Sequence, residues 1–294
     1  MDLLVVGHVT RDEVDGGVRL GGAASYAALA AACLGYETAL VTVAPPGEPL
    51  LEALRRAPRL HLHCVPSDVM TTFALEYRGG QRRLWLHRRA RALTLDDIPP
   101  EWRSPRVAYV GTVAGECDTA FVKGMRAQFT GAGLQGWLRR TNDDGLVEPV
   151  RIADSPDIQN PVRLNVAIVS EDDHPGAEGV LLVFRGHDDV AAITRGARGA
   201  ILYGRQQYID LPAARAREVD PTGAGDVFGV VLTLELARGK RLRAAGRAAA
   251  WAAARVVEGP GLGTLPESTR TRFLRLWRTR SRGRRPRTPT PAPS

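Results

Sequence analysis

The sequence predicts an α/β fold in which a largely parallel sheet is covered by helices on both faces. Short apolar runs alternate along the chain with alanine-rich stretches of helical spacing, and each run ends near Gly, Thr, Ser or Asp. Strands that are buried on both faces read as continuous apolar runs rather than as a polar–apolar alternation. Alternating strands and helices are typical of α/β domains with parallel sheets.

Six apolar runs are predicted as buried strands: residues 3–6, 39–43, 107–110, 165–169, 190–194 and 200–203. Four segments between and after them have the composition or spacing of helices: residues 23–34, 49–56, 118–129 and 226–237. This order of elements supplies the repeated strand–helix units that a parallel sheet requires.

Two segments do not follow this alternation of strands and helices, and they are predicted as antiparallel hairpins. Residues 71–78 and 82–87 alternate polar and apolar positions around Gly79 and Gly80, which is typical of a two-stranded hairpin. Residues 11–20, with Gly16 and Gly17, predict a second, smaller hairpin. Hairpins added to an α/β sheet often act as lids over an active site. The alternative is an edge extension without a functional role.

The chain length favours one large domain, and we place it at residues 1–277, with the hairpins near 11–20 and 71–87 as its lid. A chain of 294 residues with 44% hydrophobic content is long enough to bury a sizeable core. Residues 278–294 consist almost entirely of Arg, Pro, Ser and Thr and offer little to bury. We therefore expect this tail to be disordered.

A net charge of +8 raises the question of nucleic-acid binding. The position of the basic residues in the sequence argues against such binding. Nine arginines and no acidic residue lie between residues 270 and 294. The remaining residues, 1–269, hold 31 basic and 32 acidic side chains. The body is therefore close to neutral, and the charge of the tail is the sole feature that favours a polyanionic partner.

The sequence also predicts a cytoplasmic protein without a membrane span. Its apolar runs are much shorter than the roughly 18–20 residues that cross a bilayer. The first residues lack the basic leader and cleavage site of a signal peptide. Three scattered cysteines provide neither a disulfide framework nor a metal-binding spacing. His61 and His63 share one strand face, but no third metal ligand accompanies them.

Residues 220–228, Asp-Pro-Thr-Gly-Ala-Gly-Asp-Val-Phe, carry the strongest chemical signal. A proline and two glycines indicate a tight turn, and the apolar run that follows indicates a helix. Backbone N–H groups at such a helix start point outward and, with the helix dipole, form an anion hole. Asp226 places a carboxylate beside the N–H groups of Gly223, Ala224 and Gly225, where it can accept the proton of an attacking hydroxyl.

A structural interpretation of the same residues is that Asp226 caps a helix and the glycines form a turn. Two other phosphate-binding motifs are excluded by spacing. Gly223, Gly225 and Gly229 are one residue away from the dinucleotide fingerprint, and the chain contains no Gly-x-x-x-x-Gly-Lys-Ser/Thr loop. A Gly-x-Ser-x-Gly nucleophile elbow is also missing from the sequence.

Residues 220–228 closely resemble the C-terminal signature of the ribokinase-like (PfkB-type) carbohydrate kinase family. Residues 21–28, Gly-Gly-Ala-Ala-Ser-Tyr-Ala-Ala, resemble its N-terminal signature, and the two lie about 200 residues apart, as in the family. Residues 194–200 resemble the family's strand and turn before the nucleotide site. The resemblance covers roughly residues 2–266 and implies a three-layer α/β/α sandwich with a small β-hairpin lid.

The resemblance implies transfer of the γ-phosphoryl group of ATP, with Mg²⁺, to a hydroxyl of a sugar, polyol or nucleoside. Asp226 matches the family's catalytic base, and Gly223, Ala224 and Gly225 match its anion hole. The residues that the resemblance places beside the nucleotide are Thr194, Gly196, Gly199 and Thr222. Those that it places beside the acceptor are Asp12, Gly22, Ser25 and Tyr26.

Tyr26 stands where the family usually has asparagine, and an aromatic residue there is similar to the myo-inositol kinase branch. Residues 135–139, Gln-Gly-Trp-Leu-Arg, also resemble that branch, in which Gln135 and Arg139 face the acceptor or the phosphates. A surface position is the alternative for Arg139. Gly133 replaces an aspartate that is common two residues before this glutamine, and this difference leaves the acceptor in question.

The family's Asn-x-x-Glu motif near the metal is replaced by Ser-Glu-Asp-Asp at residues 170–173. These acids follow an apolar run, so they are expected at the carboxyl end of a strand, where open α/β sheets bind ligands. We take Glu171 and Asp173 as candidates for holding Mg²⁺, which prefers oxygen ligands. A solvated acidic loop is the alternative. The family's asparagine near the adenine is missing from residues 244–254.

Three functional hypotheses follow from these observations. The first is an ATP-dependent kinase of a sugar or polyol, similar to the myo-inositol kinases and acting as a monomer or homodimer. The second is a nucleoside kinase on the same scaffold. The third is a catalytically idle relative that binds a ligand, which Gly133 and the missing asparagines favour and the intact Asp226 does not.

Overall fold

A nine-stranded sheet forms the centre of the protein in the computed structural model, which describes residues 1–14, 17–78, 81–184, 190–204 and 206–261. Its strands, in chain order, are β1 (Leu3–Val6), β4 (Thr38–Ala44), β5 (Leu60–Pro66), β8 (Val107–Gly111), β9 (Phe129–Gly133), β12 (Val166–Ser170), β13 (Val190–Thr194), β14 (Ala200–Gly204) and β15 (Gln207–Leu211). The spatial order is β15-β14-β13-β12-β9-β8-β1-β4-β5. Neighbours from β5 to β13 pair in parallel, whereas β14 and β15 are antiparallel. The predicted fold class is confirmed.

Helices cover both faces of this sheet. They are α1 (Ala23–Cys33), α2 (Glu52–Arg55), α3 (Thr119–Gly124), α4 (Pro156–Gln159), α5 (Ala177–Phe184), α6 (Ala224–Ala237) and α7 (Leu242–Val256). One core lies between the sheet and α1, α6 and α7, and the other lies against α3, α4 and α5. Helix α1 is buried on all sides because its small alanine side chains allow close packing against the sheet and α6.

Several details of the sequence prediction differ from the structure. Residues 118–129 do not form one helix: Asp118 caps α3 through a 2.7 Å hydrogen bond from the Phe121 N–H, and α3 ends at Gly124. The chain then enters β9, where Gly131 packs against the side chain of Thr233 on α6. The pattern also misses the helices α4 and α5. It misses β15 as well, which pairs at the edge of the sheet and has exposed residues on one face.

Both predicted hairpins are confirmed, and together they form a second sheet. Its strands are β2 (Thr10–Val14), β3 (Gly17–Gly21), β6 (Thr71–Arg78) and β7 (Gln81–Arg88), in the order β3-β2-β6-β7. A parallel pairing of β2 with β6 joins the two hairpins. A short antiparallel pair, β10 (Arg139–Thr141) with β11 (Val147–Pro149), completes the strands. The hairpin turns at residues 15–16 and 79–80 lie outside the described residues.

Buried polar residues fasten the base of the β6–β7 hairpin to the central sheet. His8, which follows β1, contacts the Thr71 hydroxyl at 2.8 Å and the Arg91 carbonyl oxygen at 2.9 Å. Glu116 accepts hydrogen bonds from the backbone N–H groups of His8, Val113 and Ala114 and from the Thr112 hydroxyl. The pKa of Glu116 is lowered, because the His8 interaction and these donors outweigh the effect of burial.

Replacement of Glu116 by alanine is expected to lower the free energy of unfolding by about 3 kcal/mol or more. The change leaves four donors, three of them buried, without an acceptor, and breaking a buried charged network is strongly unfavourable. Denaturant titration of the variant tests this expectation. Glu52→Ala is the matched control, because Glu52 is half exposed and pairs with arginines on its own helix. An equal loss in both variants would contradict the structural role of Glu116.

The predicted end of the domain at residue 277 and the predicted disorder of residues 278–294 lie outside the described residues. Both therefore remain predictions. Within the described part of the chain, no helix combines the length and the apolar character that crossing a bilayer requires.

Candidate active site

The start of α6 is shaped by Gly223, which has a left-handed backbone with φ of 78°. The Ala224 N–H donates to the carbonyl oxygen of Pro221 at 3.2 Å, and the Val227 N–H donates to that of Gly223 at 3.0 Å. The N–H groups of Gly225 and Asp226 stand in the first turn, where no preceding helical turn supplies acceptors. Of the three N–H groups predicted to form an anion hole, those of Gly223, Ala224 and Gly225, the Ala224 N–H is engaged by the turn.

Tyr26 from α1 lies directly against this turn. A Cβ atom added to Gly223 would overlap the Tyr26 ring, so the close approach requires glycine as much as the backbone conformation does. Tyr26 is 1% exposed, and its hydroxyl lies near Gly261. The N-terminal and C-terminal signatures therefore meet in space at Tyr26 and Gly223.

A cleft of about 280 Å³ opens at the carboxyl ends of the central strands, between α6 and the hairpin sheet. Such a position at the carboxyl edge is where open α/β sheets bind ligands. The predicted site residues that line the cleft are Asp12, Gly22, Tyr26, Gln135, Arg139, Asp173, Thr222, Gly223, Gly225 and Asp226. Most of the predicted acceptor site is thus brought to one place.

Asp226 lies half-buried in the wall of the cleft, in the first turn of α6. Its pKa is raised to about 7: burial is the largest cause, the negative charge of Asp173 adds to it, and the positive charge of Arg139 opposes both. An aspartate with this pKa exchanges a proton near neutral pH, which suits a general base. The combination of a perturbed carboxyl and a cleft is typical of functional sites.

Arg139 and Gln135 both hold Asp173. An Arg139 guanidinium N–H donates to Asp173 Oδ1 at 2.9 Å, and the Gln135 amide donates to the same oxygen at 2.6 Å. The Arg139 and Asp173 side chains are only 20% and 14% exposed, so solvent screens this pair weakly. Arg139 is therefore part of the cleft wall rather than a surface residue.

An ion pair that the sequence does not reveal connects the small hairpin to the C-terminal signature. Arg19 on β3 donates to Asp220 at 2.6 Å and to the Thr222 hydroxyl at 3.2 Å. Although burial raises the pKa of Asp220, hydrogen bonds from Thr222 and the charge of Arg19 bring it below its ordinary value. Because Arg19 and Asp220 are 201 positions apart, no local motif links them.

Asp12 on β2 faces the cleft and is held from its own hairpin. The Thr10 hydroxyl donates to Asp12 Oδ1 at 2.6 Å, and the carboxylate lies over Gly21, where a Cβ would overlap it. The hairpin sheet also contributes apolar side chains to the cleft, from Phe73, Leu75 and Leu84. Trp85 is on the opposite face of β7 from Leu84 and does not line the cleft.

Several predicted residues lie outside the cleft lining. Ser25 is buried, and its hydroxyl donates to the carbonyl oxygens of Gly21 and Gly22, so it stabilises the start of α1. Thr194 lies near Gly225 at the start of α6, where a Cβ on Gly225 would be 3.8 Å from its hydroxyl. Gly196 and Gly199, in the turn between β13 and β14, adopt φ angles of 52° and 91°.

The two candidate metal ligands are directed to different partners. Glu171 forms an ion pair with Arg198, while Asp173 pairs with Arg139. Among the residues that the structure describes, no group of three or more His, Cys, Asp or Glu side chains is arranged to hold a metal ion. Mg²⁺ commonly relies on one or two carboxylates and on substrate phosphates. Asp172 and Asp173 line the cleft, so they fit the role of the one or two carboxylates that bind Mg²⁺ together with substrate phosphates. The described residues do not fit a metal site that consists of protein ligands alone.

Sequence reasoning misses Thr10, Arg19 and Tyr109, which line the cleft from elements without a recognisable motif. The polar–apolar alternation of 71–78 was a usable signal for Phe73 and Leu75, since alternate residues of a hairpin share a face. No comparable signal exists for Tyr109, which lies within a continuous apolar run.

Known proteins are similar to this chain in sequence over part of its length and in fold over most of it. The sequence model of the pfkB family carbohydrate kinases matches residues 167–270. A nucleoside kinase from Methanocaldococcus jannaschii is 34% identical over 77 residues, which is 26% of this chain and 26% of that protein. This match therefore spans about a quarter of the relative.

Solved structures share the fold over most of their length. A pyrophosphate-dependent kinase in the ribokinase family, complexed with a pyrophosphate analog and myo-inositol, superposes with a TM-score of 0.74 at 18% identity, covering 88% of this chain and 96% of that one. An uncharacterised sugar kinase from Pyrococcus horikoshii, in complex with ATP, gives a TM-score of 0.71 at 17% identity, covering 88% and 93%.

At these identities the structural likenesses show the fold alone, while the matched residues 167–270 include β12, β13 and the whole of α6 with its glycine turn. Residues 167–270 are therefore similar in sequence to the pfkB family carbohydrate kinases, and the whole described chain shares the fold of ribokinase-family kinases.

Proposed function

We propose that the protein is a small-molecule kinase that transfers a phosphoryl group from ATP to a hydroxyl of a sugar or polyol. The observation that carries this proposal is Asp226, a carboxyl with a pKa of about 7 in the cleft wall, beside outward-facing N–H groups at the start of α6. A base next to an anion hole is the minimal apparatus for moving a phosphoryl group to a hydroxyl.

In this reaction the acceptor oxygen forms a bond to the γ-phosphorus as the bond from that phosphorus to the β,γ-bridging oxygen breaks. ADP leaves, and the proton of the acceptor hydroxyl passes to the Asp226 carboxylate. The N–H groups of Gly223 and Gly225, with the positive end of the α6 dipole, stabilise the charge that develops on the phosphoryl oxygens. Arg139, held by Asp173, adds a positive charge to the same wall.

For the acceptor, we favour a single-ring polyol similar to myo-inositol. The cleft is at the small end of ligand pockets, and it combines carboxylate, amide and guanidinium groups with the apolar hairpin side chains. Asp12, Tyr26 and Gln135 are positioned to contact such a ring, and Gly22 also lines the cleft, where it packs closely against the His8 carbonyl oxygen. The likeness to a kinase complexed with myo-inositol supports this choice, and the match to a nucleoside kinase supports the alternative acceptor.

For the donor, we propose ATP, with Thr194, Gly196, Gly199 and Thr222 at its border. Thr194 lies near Gly225 and Thr222 lines the cleft just before α6, which agrees with a donor approaching the anion hole from the β13–β14 turn. Similar structures include one in complex with ATP and one with a pyrophosphate analog, so both donors require testing. Mg²⁺ would neutralise the donor phosphates and would be held by them and by the 172–173 carboxylates.

We also propose a cytoplasmic protein without a nucleic-acid partner, which acts as a monomer or a homodimer. Its three cysteines, Cys33, Cys64 and Cys117, are free, as expected in a reducing compartment.

A screen of donors and acceptors tests the proposed function. ATP with Mg²⁺ and pyrophosphate with Mg²⁺ are each combined with myo-inositol, D-ribose, D-fructose and adenosine, and products are followed by ³¹P NMR. We expect a phosphomonoester of one acceptor, most readily with ATP and myo-inositol. Donor hydrolysis alone, at the same rate with and without acceptor, would favour the idle relative. A product with adenosine alone would favour the nucleoside kinase.

A further inference from the structure

The hydroxyl of Tyr109 is a buried polar group that the proposed reaction does not use. Tyr109 lies within β8 and is completely buried, yet it is one of the residues that line the cleft. Within the described structure its hydroxyl oxygen has no hydrogen-bond partner. Burying a hydroxyl without a partner is unfavourable, and a native protein retains such a group where something else supplies the partner.

Two glycines create the space that this hydroxyl occupies. A Cβ atom on Gly229 of α6 would overlap the Tyr109 hydroxyl oxygen, and a Cβ atom on Gly133 of β9 would stand 3.3 Å from it. The hydroxyl therefore fills a notch between β9 and α6 that any side chain at either position would close. Gly133 itself lines the cleft, so the notch borders the cleft on the side of β9.

The electrostatic surroundings keep this hydroxyl protonated. Burial raises the pKa of Tyr109 well above its ordinary value, and the charge of Asp226 adds to the effect. Asp226 lies three residues before Gly229, on the same side of α6. A neutral phenol near the proposed base can both donate and accept a hydrogen bond, which matches the requirements of an alcohol rather than those of an anion.

We propose that the Tyr109 hydroxyl binds a hydroxyl of the acceptor other than the one that reacts at Asp226, and so selects acceptors that carry two hydroxyls. This inference rests on the proposed function and adds a specificity-determining contact to it. A site that hydrogen-bonds a ligand hydroxyl discriminates against analogues without it, because the protein group is then left unpaired.

Binding calorimetry on the full chain tests the inference without relying on turnover. Myo-inositol, D-ribose and adenosine are titrated into the wild-type protein, and the tightest binder becomes the probe. We expect Tyr109→Phe to weaken its binding about tenfold. Single-deoxy analogues of the probe each lack one hydroxyl. One of them should bind the wild-type protein about tenfold more weakly than the probe does, and should bind Tyr109→Phe as tightly as the probe does.

Thermal unfolding separates a ligand contact from a structural role. Because the Tyr109 hydroxyl has no partner in the protein, Tyr109→Phe should melt at the wild-type temperature or above it. Tyr36→Phe is the matched control: its hydroxyl accepts a 2.8 Å hydrogen bond from Arg238 outside the cleft, so this variant should lose stability but no affinity.

The outcomes distinguish this inference from the proposed function. Unchanged probe affinity in Tyr109→Phe, or affinity losses that are simply additive for every deoxy analogue, would overturn the inference alone. If a probe binds but no phosphoryl group is transferred to it, the proposed kinase function is wrong. The titrations with Tyr109→Phe then decide whether the Tyr109 contact exists. If the wild-type protein binds none of the three probes, both proposals fail.

Discussion

Asp226→Asn is expected to reduce the turnover number for phosphoryl transfer by about 10²–10⁴-fold, the range that a positioned general base contributes. Asparagine keeps the shape of the side chain and its place in the first turn of α6, but it cannot accept the proton of the attacking hydroxyl. The affinity for the acceptor and the donor should change little, because the anion hole and the Arg139–Asp173 pair remain. Steady-state kinetics with the best donor and acceptor provide the measurement.

Stability provides the control for Asp226→Asn. The folded-state pKa of Asp226 is about 7, above its ordinary value of 3.8, so its contribution to stability is present at low pH and is lost as the pH rises through 7. Removing the ionisable group should therefore leave the melting temperature at pH 8 equal to or above that of the wild-type protein. Asp96→Asn, at a side chain that is 96% exposed, should alter neither property. A wild-type turnover number in Asp226→Asn would show that Asp226 is not the catalytic base.

Gly223→Ala is expected to lower kcat/KM by about 100-fold, since a shift of roughly 1 Å in a catalytic group costs this much. An alanine Cβ would overlap the Tyr26 ring, so either the ring or the start of α6 must move. Either movement displaces the N–H groups and the Asp226 carboxyl from their common position. Kinetic constants and melting temperature are measured on the same preparation.

Gly239→Ala is a closely matched control for this substitution. Gly239 has φ of 79°, against 78° at Gly223, but its Cβ would meet nothing within 4 Å. Both variants carry the same backbone strain, of about 1–2 kcal/mol, and only Gly223→Ala carries the steric overlap. Equal activity in the two variants would show that the contact with Tyr26 does not position the site.

The parts of this molecule that are encoded locally are the parts that sequence reasoning predicts. The continuous apolar runs at 3–6 and 190–194 become strands with the same bounds, because a strand buried on both faces needs no alternation. The glycine turn before α6 is likewise local. The segment 118–129 fails because helical composition extends across Gly124, whereas the end of α3 and the start of β9 depend on packing against α6.

The candidate site shows the same division. Asp226 and its glycines lie in one motif, and so do Gln135 and Arg139. By contrast, the Arg19–Asp220 pair and the notch around Tyr109 depend on tertiary packing between distant segments, which single-sequence patterns do not encode. Glu171 and Asp173 are near neighbours in sequence, yet their side chains pair with different arginines. Sequence proximity alone therefore did not define a metal site.

The central claim is that Asp226 is the base and that its surroundings set its pKa near neutrality. Only the carboxylate form accepts a proton, so the rate must rise as the pH increases through the pKa. The charge of Asp173 raises this pKa, and Arg139, which Asp173 engages, lowers it. Asp173→Asn removes the negative charge and releases Arg139, and both changes shift the pKa of Asp226 downward.

The most direct test is the pH dependence of kcat/KM for phosphoryl transfer in the wild-type protein and in Asp173→Asn. We expect the wild-type rate to reach half of its plateau at a pH of about 7, and the variant to reach it at a clearly lower pH. A wild-type profile that is flat between pH 5 and 8, or a midpoint that Asp173→Asn leaves in place, would contradict the assignment of Asp226 as the base.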